Sequence, residues 1–485
     1  MRRVLLLALL AVLACAGTAA AFTPTDPLAP KQWYLQDDHA FDIWPAPPTF
    51  AATVKVAVID SGIDASLPDF AGRIADARSF VGGSPTVDTD GHGTFVAGII
   101  AANMDTQGIA GIAYSAQLLI AKVVKPNGEI PLDAETAAIK WAADSGARVI
   151  NLSLAGQRDP VHLDRDTYSQ EEADAVAYAN QKGALVVAAV GNSDDASGQP
   201  WPYASYPAAL PHVLGVSALT HTGNVPDYSN RDGIYNDISA PGSGIFSTFP
   251  SSITALRPTC VDQGFSDCGD DEYRNAEGTS FAAPQVSAAA AVLFGLVPTL
   301  TSTQVTWILE QSADDVSAAT GCPRCALGRD PFSGWGRLDI AKAVGALSGP
   351  LPARDQYESN DDAGMHAHTL WGRTQSFQAT LDYYDDPVDV YRVELRKGQQ
   401  LRVNIAGWPS ANVSLELWRP GTRKVDVPAQ VKKLRAAQSL GSSATPHFAF
   451  RASSAGWYFV ETRAASPGSG AYTLKLAKSA LQLRR

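Results

Sequence analysis

Short apolar runs rich in Val alternate with helical patterns in the first part of this 485-residue chain. The first run, Val54–Ile59, is almost uninterrupted, which is typical of a strand buried on both faces of a parallel sheet. Similar runs follow at Leu118–Val124, Arg148–Leu154, Ala184–Val190 and Val213–Ala218. Helices are predicted between them at Phe95–Asn103, from a cap at Asp133 through Ser145, and at Glu171–Lys182. This alternation predicts an α/β fold with a doubly wound, mainly parallel sheet.

The next stretch is less regular. Asp237–Gly242 is predicted to be a turn. Phe249–Asn275 is predicted to be a long acidic loop, and a loop of that length is uncommon inside a compact domain. Three helices are expected after it, an Ala-rich one from Ser280 through Leu293, then Thr303–Ser312 and Ile340–Leu347.

Composition changes at Ser348–Pro352, where Gly and Pro indicate a linker. Beyond it, short alternating runs separated by turns predict an antiparallel β-sandwich. These runs are Phe377–Leu381, Val388–Leu395, Gln400–Ile405, Val413–Trp418, Phe448–Ala452, Trp457–Thr462 and Tyr472–Leu476. We therefore expect an α/β domain at 22–347, a linker at 348–356 and a β-sandwich domain at 357–480.

The N-terminus predicts export from the cell. Arg2-Arg3, the apolar run Val4–Leu13 and the small residues Ala19–Ala21 form a signal peptide over residues 1–21. Val12–Cys15 also resembles a lipoprotein box, so a lipid anchor on Cys15 is the alternative to a freely secreted chain. No other run is long and apolar enough to span a membrane. The net charge of −11 disfavours a nucleic-acid partner.

Four cysteines remain after removal of the signal peptide, and an even number in an exported chain predicts two disulfides. Local pairing, Cys260 with Cys268 and Cys322 with Cys325, is the expected arrangement among three. A zinc site at Cys322 and Cys325 is the alternative. It is disfavoured because the other pair lacks the Cys-x-x-Cys spacing and no His lies near.

Three polar residues occupy positions where chemistry is often found. Asp60 ends the first predicted strand, and sites in open α/β sheets form at the carboxyl ends of strands. His92 lies between two glycines at the start of a helix. Ser280 follows a Gly turn and enters the first turn of a helix, where free N–H groups and the helix dipole favour negative charge. Each position alone is also explained as a cap or a surface turn.

The residues around these three positions resemble the signature blocks of subtilisin-like serine proteases, the subtilases. The blocks are Val58–Gly62, His92–Gly98 and Gly278–Pro284, in the order Asp, His, Ser that the family uses. Val190–Asn192 is similar to the block that carries the family's oxyanion-hole Asn. The resemblance covers about residues 30–347.

The resemblance implies a role for each residue. Ser280 would be the nucleophile, His92 the general base and then acid, and Asp60 the group that orients the imidazole. Asn192 and the N–H of Ser280 would form the oxyanion hole. Ser153, Leu154, Ala155 and Gly156, together with Gly191, would bind the substrate, with the 153–156 backbone adding a strand. The family usually has Gly where Ala155 stands, which puts the shape of the first specificity pocket in doubt.

The resemblance implies no cofactor for the chemistry and a structural Ca²⁺. Its ligands would come from a loop that matches the family's calcium loop in spacing, where carboxylates and carbonyl oxygens suit a hard cation. These residues are Asp69, Asn103, Asp105, Gln107 and Ile109. A solvated acidic loop without an ion is the alternative.

The tail resembles the bacterial pre-peptidase C-terminal domain, through Tyr357–Asp361 and Asp389–Tyr391. Nothing in its residues decides between substrate binding, secretion and a removable extension. Only residues 22–59 separate the predicted signal peptide from Asp60, so we expect folding without a covalent prodomain.

We therefore expect a secreted, monomeric serine endopeptidase that acts on proteins or peptides. An exopeptidase or dedicated processing protease of the same fold is one alternative, in which the 249–275 loop closes one end of the cleft. A non-catalytic binding protein on a subtilase scaffold is the other. Retention of all four residues Asp60, His92, Asn192 and Ser280 argues against a binding role.

Overall fold

The computed structural model describes residues 22–42, 44, 47–192, 201–256, 266–267, 271–364, 366–408, 412–425, 433–439 and 445–480. The predicted signal peptide at 1–21 and the predicted Cys260–Cys268 pair lie outside these residues. We refer to residues 22–347 as the α/β region and to residues 357–480 as the C-terminal β region.

The α/β region is built from nine strands and eight α-helices among its described residues. The strands are β1 Lys55–Asp60, β2 Ile74–Ser79, β3 Gln117–Lys122, β4 Val149–Leu152, β5 Leu185–Ala189, β6 Val213–Leu219, β7 Ile238–Pro241, β8 Ile245–Thr248 and β9 Tyr273–Ala276. The helices are α1 Tyr34–Asp37, α2 His92–Ala101, α3 Leu132–Asp144, α4 Gln170–Gln181, α5 Ser251–Leu256, α6 Thr279–Leu296, α7 Ser302–Ser312 and α8 Ile340–Ala346.

A seven-stranded sheet in the order β2-β3-β1-β4-β5-β6-β7 forms the centre of this region. All its neighbouring strands are parallel. Side chains of β1 alternate between the two faces. Val56 and Val58 join the core shared with α2 and α6, while Ala57 and Ile59 join the core shared with α3 and α4. Helices therefore cover both faces, and the predicted doubly wound parallel sheet is confirmed.

Several short elements differ from the sequence prediction. Asp237–Gly242 is not a turn, because Ile238–Pro241 pairs with β6 as the edge strand β7. The stretch 249–275 is not one loop, since it contains α5 and most of β9, which pairs with β8. β2 was not expected, and its pattern of mostly exposed polar residues is what an edge strand shows. Asp133 is not the cap of α3 but lies in its first turn, after Pro131.

The C-terminal β region contains two sheets. Its described strands are β10 His368–Thr369, β11 Thr374–Asp382, β12 Val388–Leu395, β13 Gln400–Ala406, β14 Val413–Trp418, β15 Arg435–Ser439, β16 His447–Arg451, β17 Gly456–Ala464 and β18 Ser469–Lys478. One sheet has the order β10-β12-β17-β14-β15 and the other β11-β18-β13-β16. All pairs are antiparallel except β10 with β12. Apolar side chains of both sheets share one hydrophobic cluster, including Val393, Leu417, Leu401 and Leu474.

Among the described residues, α6 alone is long and apolar enough for a membrane span, and 89% of its 18-residue window is buried inside the fold. The core helix of a soluble protein has the same properties, so α6 is weak evidence for a span. Cys322 and Cys325 form a disulfide with Cα atoms 5.4 Å apart. The predicted local pairing is confirmed for these two residues, and they are not a zinc site.

Candidate active site

Ser280 is the second residue of α6, and Gly278 precedes the helix with a φ of +151°. An L-residue rarely adopts this φ, so Gly is favoured where the chain turns into the helix. The first N–H groups of a helix have no partner within it. Ser280 is therefore held on a buried helix, at the end where backbone donors are free to bind a negative charge.

Pro284 lies in the second turn of α6. Proline has no N–H, so the carbonyl oxygen four residues earlier, on Ser280, loses its normal helical donor. The hydroxyl of Ser153 replaces that donor and gives a hydrogen bond of 2.7 Å to Ser280 O. Ser153 therefore supports the backbone of the candidate nucleophile.

The Ser153 hydroxyl is itself held by a buried polar chain. Asn151 Nδ2 donates to Ser153 Oγ at 3.0 Å, and Ser287 Oγ donates to Asn151 Oδ1 at 2.8 Å. Asn151 and Ser287 are fully buried, on β4 and α6. Neither residue is predicted from the sequence. Asn151 lies at the middle of an otherwise apolar strand, which was the available signal.

His92 is the first residue of α2, and Asp60 is the last residue of β1. His92 Nδ1 lies 2.9 Å from both carboxylate oxygens of Asp60. The Asp60 side chain is 1% exposed and that of His92 is 18% exposed. A Cβ on Gly93 would lie 2.2 Å from the carbonyl oxygen of Gly62, so the close approach of α2 to β1 requires glycine. The predicted pair is thus brought together by these two elements.

Electrostatics raise the pKa of His92 to about 9. Burial acts in the opposite direction and by itself lowers this pKa, because it disfavours the charged imidazolium. The charge of Asp60 and its hydrogen bond to the ring outweigh burial, and Asp90 and Asp88 add smaller contributions. The imidazolium form is therefore strongly stabilised in this site.

Asn192 lies next to the start of α6. Its Oδ1 accepts hydrogen bonds of 3.0 Å from the N–H and from the hydroxyl of Thr279. These bonds orient the amide so that its donor nitrogen Nδ2 lies beside Gly278. A Cβ added to Gly278 would lie 3.4 Å from this nitrogen. Ser280 Oγ lies 3.4 Å from the carbonyl oxygen of Ser153. The amide donor and the Ser280 hydroxyl therefore belong to one small site, and Thr279 is a positioning residue that the sequence analysis did not name.

The predicted substrate segment follows β4 and borders this site. Gly156 exchanges two backbone hydrogen bonds of 2.8 Å with Tyr206. Ser153 and Leu154 are buried, whereas Ala155 is exposed. Gly191 has a φ of +96°, and a Cβ there would lie 2.3 Å from Ser205 Oγ, so a larger residue would not fit. The segment is held in place from one side while Ala155 faces solvent.

Asp69, Asp105 and Ile109 of the predicted calcium loop lie close together in the structure. Asp69 is 3% exposed, and its carboxylate accepts from the N–H of Ile109 and from the hydroxyl of Tyr273. Burial, as the main cause, raises the pKa of Asp69, and the charge of Asp105 adds to the effect.

Asn103 and Gln107 are placed differently. The side chain of Asn103 donates to the carbonyl oxygens of Pro68 and Ala71. The N–H of Gln107 donates to Asp105 Oδ1 at 3.1 Å. Four of the five residues lie in the 103–109 loop and Asp69 packs against it from the turn Pro68–Phe70, but the five side chains do not all make contacts with one another.

Asp26 adds a carboxylate to this loop that the sequence analysis did not predict. Its Oδ1 accepts from the N–H groups of Asp105 and Thr106. Its Oδ2 is buried and has no hydrogen-bond partner among the described residues. Carboxylates are the donor type that a hard cation prefers, and Asp26 adds one to Asp69 and Asp105. These three do not form one of the close three-ligand groups among the described residues.

Comparison with known proteins gives a consistent result over the α/β region. The model of the subtilase family matches residues 51–336. Subtilisin DY of Bacillus licheniformis is 35% identical over 266 residues, which are 55% of this chain and 85% of subtilisin DY. Thermitase of Thermoactinomyces vulgaris is 30% identical over 329 residues, which are 67% of this chain and 99% of thermitase.

A solved structure extends the likeness beyond the α/β region. The crystal structure of fervidolysin from Fervidobacterium pennivorans, described as a keratinolytic enzyme related to subtilisin, aligns with a TM-score of 0.54. The alignment covers 88% of this chain and 55% of that chain at 24% identity. At this identity the likeness concerns the fold alone.

Proposed function

The chain belongs to the subtilase family of serine proteases, and from that membership we propose that it is an endopeptidase. The observation that carries the proposal is the His92–Asp60 pair beside the start of α6, where the His92 ring lies 5.4 Å from the ring of Phe281, the residue after Ser280. His92 Nδ1 lies 2.9 Å from the Asp60 carboxylate, and Ser280 lies at the free N-terminal end of α6. Asn192, fixed by Thr279, provides an amide beside it.

Catalysis in this proposal begins at the Ser280 hydroxyl. Neutral His92 removes the proton from Oγ as the oxygen attacks the carbonyl carbon of the peptide bond. The carbonyl oxygen gains negative charge, and the amide N–H of Asn192 and the backbone N–H of Ser280 stabilise it. His92 then gives the proton to the leaving amine, which departs and leaves an acyl-enzyme. Asp60 holds the ring and stabilises its charged form.

Hydrolysis of the acyl-enzyme repeats these steps with water. His92 removes a proton from the water molecule, and the oxygen attacks the ester carbonyl. The Ser280 oxygen then leaves and recovers the proton from His92, so the enzyme returns to its starting state. The substrate would lie along Ser153–Gly156, where an extended peptide can add a strand.

A mixed peptide library tests the proposal and separates it from its alternatives. The full chain and its Ser280→Ala variant are incubated with peptides of varied length, and the cut positions are read by mass spectrometry. Cuts inside the peptides support an endopeptidase, and cuts confined to one end support the exopeptidase alternative. No cuts by either protein would support the binding protein. Ser280→Ala should lower turnover by about 10⁶-fold, the loss measured for subtilisin.

We infer further that the chain is exported, on the strength of the predicted signal peptide at 1–21. A structural Ca²⁺ in the 103–109 loop is proposed from the three carboxylates of Asp26, Asp69 and Asp105.

We also propose a β-sandwich similar to the pre-peptidase C-terminal domain for the C-terminal β region, because its two sheets share one apolar cluster. We also propose that the chain is a monomer.

A further inference from the structure

Acidic side chains meet where the C-terminal β region contacts the α/β region. Asp237 precedes β7, Glu310 lies in the last turn of α7, and Asp385 lies between β11 and β12. One carboxylate oxygen from each lies within 4.8 Å of the other two. Asp237 is 3% exposed and Glu310 is 4% exposed. Three carboxylates from two regions of the chain therefore share one buried position, which we call the junction cluster.

Glu310 provides the observation that points to a ligand. Its Oε1 is buried and has no hydrogen-bond partner within the described part of the chain. A carboxylate oxygen of Glu310 also lies within 4.8 Å of one from Asp385. A buried carboxylate oxygen without a donor is costly, so this atom requires a positive partner or a proton.

The oxygens of Asp237 already have partners. Its Oδ2 accepts from the N–H of Gly215 at 2.8 Å, and its Oδ1 lies 3.2 Å from Arg329 Nη2. The guanidinium also donates to the carbonyl oxygens of Gly233 and Ile234. One Arg therefore balances about one carboxylate. Its two terminal nitrogens also donate to carbonyl oxygens, while its buried Nε has no hydrogen-bond partner among the described residues.

Negative charges outnumber positive charges around the cluster. Asp382 and Asp237 act on Glu310 in addition to Asp385, and Arg329 is the cation that acts on it. Buried ions of one sign in a low-dielectric site repel strongly unless opposite charge is supplied. Arg329 balances about one carboxylate, so a divalent cation would balance the negative charge of the others.

A small cavity lies at the same junction. Its volume is about 30 Å³, and Asp237 and Asp385 are both in its wall, together with Thr306, Tyr384 and Asp386. A cavity of this size accommodates about one water-sized particle. The wall also includes apolar residues such as Leu185 and Leu210 and does not include Glu310, so the cavity adjoins the junction cluster rather than enclosing it.

We propose that Asp237, Glu310 and Asp385 bind a Ca²⁺ ion that joins the C-terminal β region to the α/β region. Ca²⁺ binds oxygen ligands at about 2.3–2.6 Å in irregular arrangements, completed by water or carbonyl oxygens. Three oxygens about 4.5 Å apart contact one ion at their centre at these distances. The oxygens of the cluster lie within 4.8 Å of one another, so a small side-chain adjustment brings all three to an ion. The ion gives Glu310 Oε1 the partner that it otherwise lacks and balances charges contributed by both regions.

The test counts bound Ca²⁺ per chain in the full-length protein with Ser280→Ala, which prevents self-digestion. After equilibrium dialysis against buffered CaCl₂, calcium is measured by elemental mass spectrometry. Glu310→Gln and Asp385→Asn change the cluster from opposite regions with little change in shape. Each variant should lose one ion per chain, and the double variant should also lose only one, because both residues bind the same ion.

Glu135→Gln is the matched control. Glu135 is also buried, at 8% exposed, and interacts with the carboxyl of Glu172, but it belongs to none of the three-ligand groups among the described residues. This variant should keep every ion. Unchanged Ca²⁺ in all variants would mean that the cluster holds only protons, and the proposal would fail. Loss in Asp385→Asn without loss in Glu310→Gln would place the ion wholly in the C-terminal β region and would equally overturn it.

Discussion

At the scale of single residues, His92 determines how activity depends on pH. Its pKa is raised to about 9, because the nearby carboxylates outweigh the opposing effect of burial. The proposed mechanism needs neutral His92, so kcat/KM should increase as pH rises towards 9. A raised folded-state pKa also means that this group stabilises the fold fully below its ordinary pKa of 6.5. That stabilisation is lost as pH rises through about 9.

Asp90→Asn tests the contribution of one of these carboxylates. Asp90 raises the pKa of His92, and its Oδ1 accepts from the backbone N–H of His92. The variant should shift the alkaline rise in kcat/KM to lower pH by a few tenths of a unit. Asp76→Asn on the exposed edge strand β2 is the control and should leave the profile unchanged. If kcat/KM depended on pH in the same way in the unmodified protein and in both variants, Asp90 would not contribute to the raised pKa of His92.

Ser153→Ala tests the support of the nucleophile. The variant leaves the Ser280 carbonyl oxygen without its 2.7 Å donor, in a helix where Pro284 supplies none. The free energy of unfolding should fall by about 1–3 kcal/mol, and kcat should fall because Ser280 is less firmly placed. Both are measured, unfolding by urea in the Ser280→Ala background.

Ser217→Ala is the control for this substitution. Ser217 is fully buried on β6, and its hydroxyl has no hydrogen-bond partner among the described residues. Removal of that hydroxyl should change stability little or increase it. If both variants lost the same free energy of unfolding, the hydrogen bond from Ser153 to the Ser280 carbonyl oxygen would not be the cause of the loss.

The sequence predicts Asp60, His92, Asn192 and Ser280 because each lies in a local motif with a constrained backbone. It does not predict the contacts of Asn151, Thr279 and Asp26 with residues far away in the chain, which are Ser287, Asn192 and Asp105. Asp26, for example, accepts hydrogen bonds from Asp105 and Thr106. Contacts of this kind depend on how distant segments pack and leave no local pattern.

At the scale of elements, the N-terminal cap of α7 also binds a residue of the predicted linker. Thr301 Oγ1 accepts from the Gln304 N–H at 3.1 Å, and Gln304 Oε1 accepts from the Thr301 N–H at 3.2 Å. Gln304 Nε2 also donates to the carbonyl oxygen of Pro352. The cap therefore connects α7, which carries Glu310, to the predicted linker.

Thr301→Ala should lower the free energy of unfolding by about 0.5–2 kcal/mol, because the capping hydroxyl is lost. Thr303→Ala in the first turn of the same helix removes an exposed Thr and should change stability by less than about 0.5 kcal/mol. Thermal or urea unfolding of both variants measures the difference. A smaller effect for Thr301 than for Thr303 would argue against the capping box.

Central strands were predictable and the edge strands β2 and β7 were not. β1, β4 and β5 are fully or almost fully buried, so apolar residues dominate their sequences. β2 is polar because one side of it meets solvent, and β7 ends in Pro241. Hydrophobic periodicity carries little information for such strands, whose pairing is decided by the neighbouring strand.

At the scale of the whole molecule, Tyr384 links the two regions. The Arg329 guanidinium lies 3.7 Å from the centre of the Tyr384 ring, and Trp335 contacts the ring edge-to-face at 6.0 Å. Each such contact contributes about 0.5–2 kcal/mol. The position of the C-terminal β region therefore depends in part on one aromatic side chain.

Tyr384→Ala should weaken this docking and expose the predicted linker. In the Ser280→Ala background, trypsin should cleave after Arg354 several-fold faster in this variant. Trp371→Ala is the control, since Trp371 is 67% exposed and packs on Trp457 of the same region. If cleavage is equally slow in all proteins, the Arg329–Tyr384 contact does not hold the regions together.

The position of α6 has a consequence for the timing of activity during synthesis. This helix packs on β4, β5, β6 and α2, and it carries the nucleophile. Asp60 and His92 leave the ribosome long before Ser280, and α6 can enter the core only when the sheet is largely assembled. Contacts between such distant segments form late, because closing long loops is slow. A growing chain is therefore a substrate for proteases well before it can act as one, and the gain of activity coincides with closure of the core.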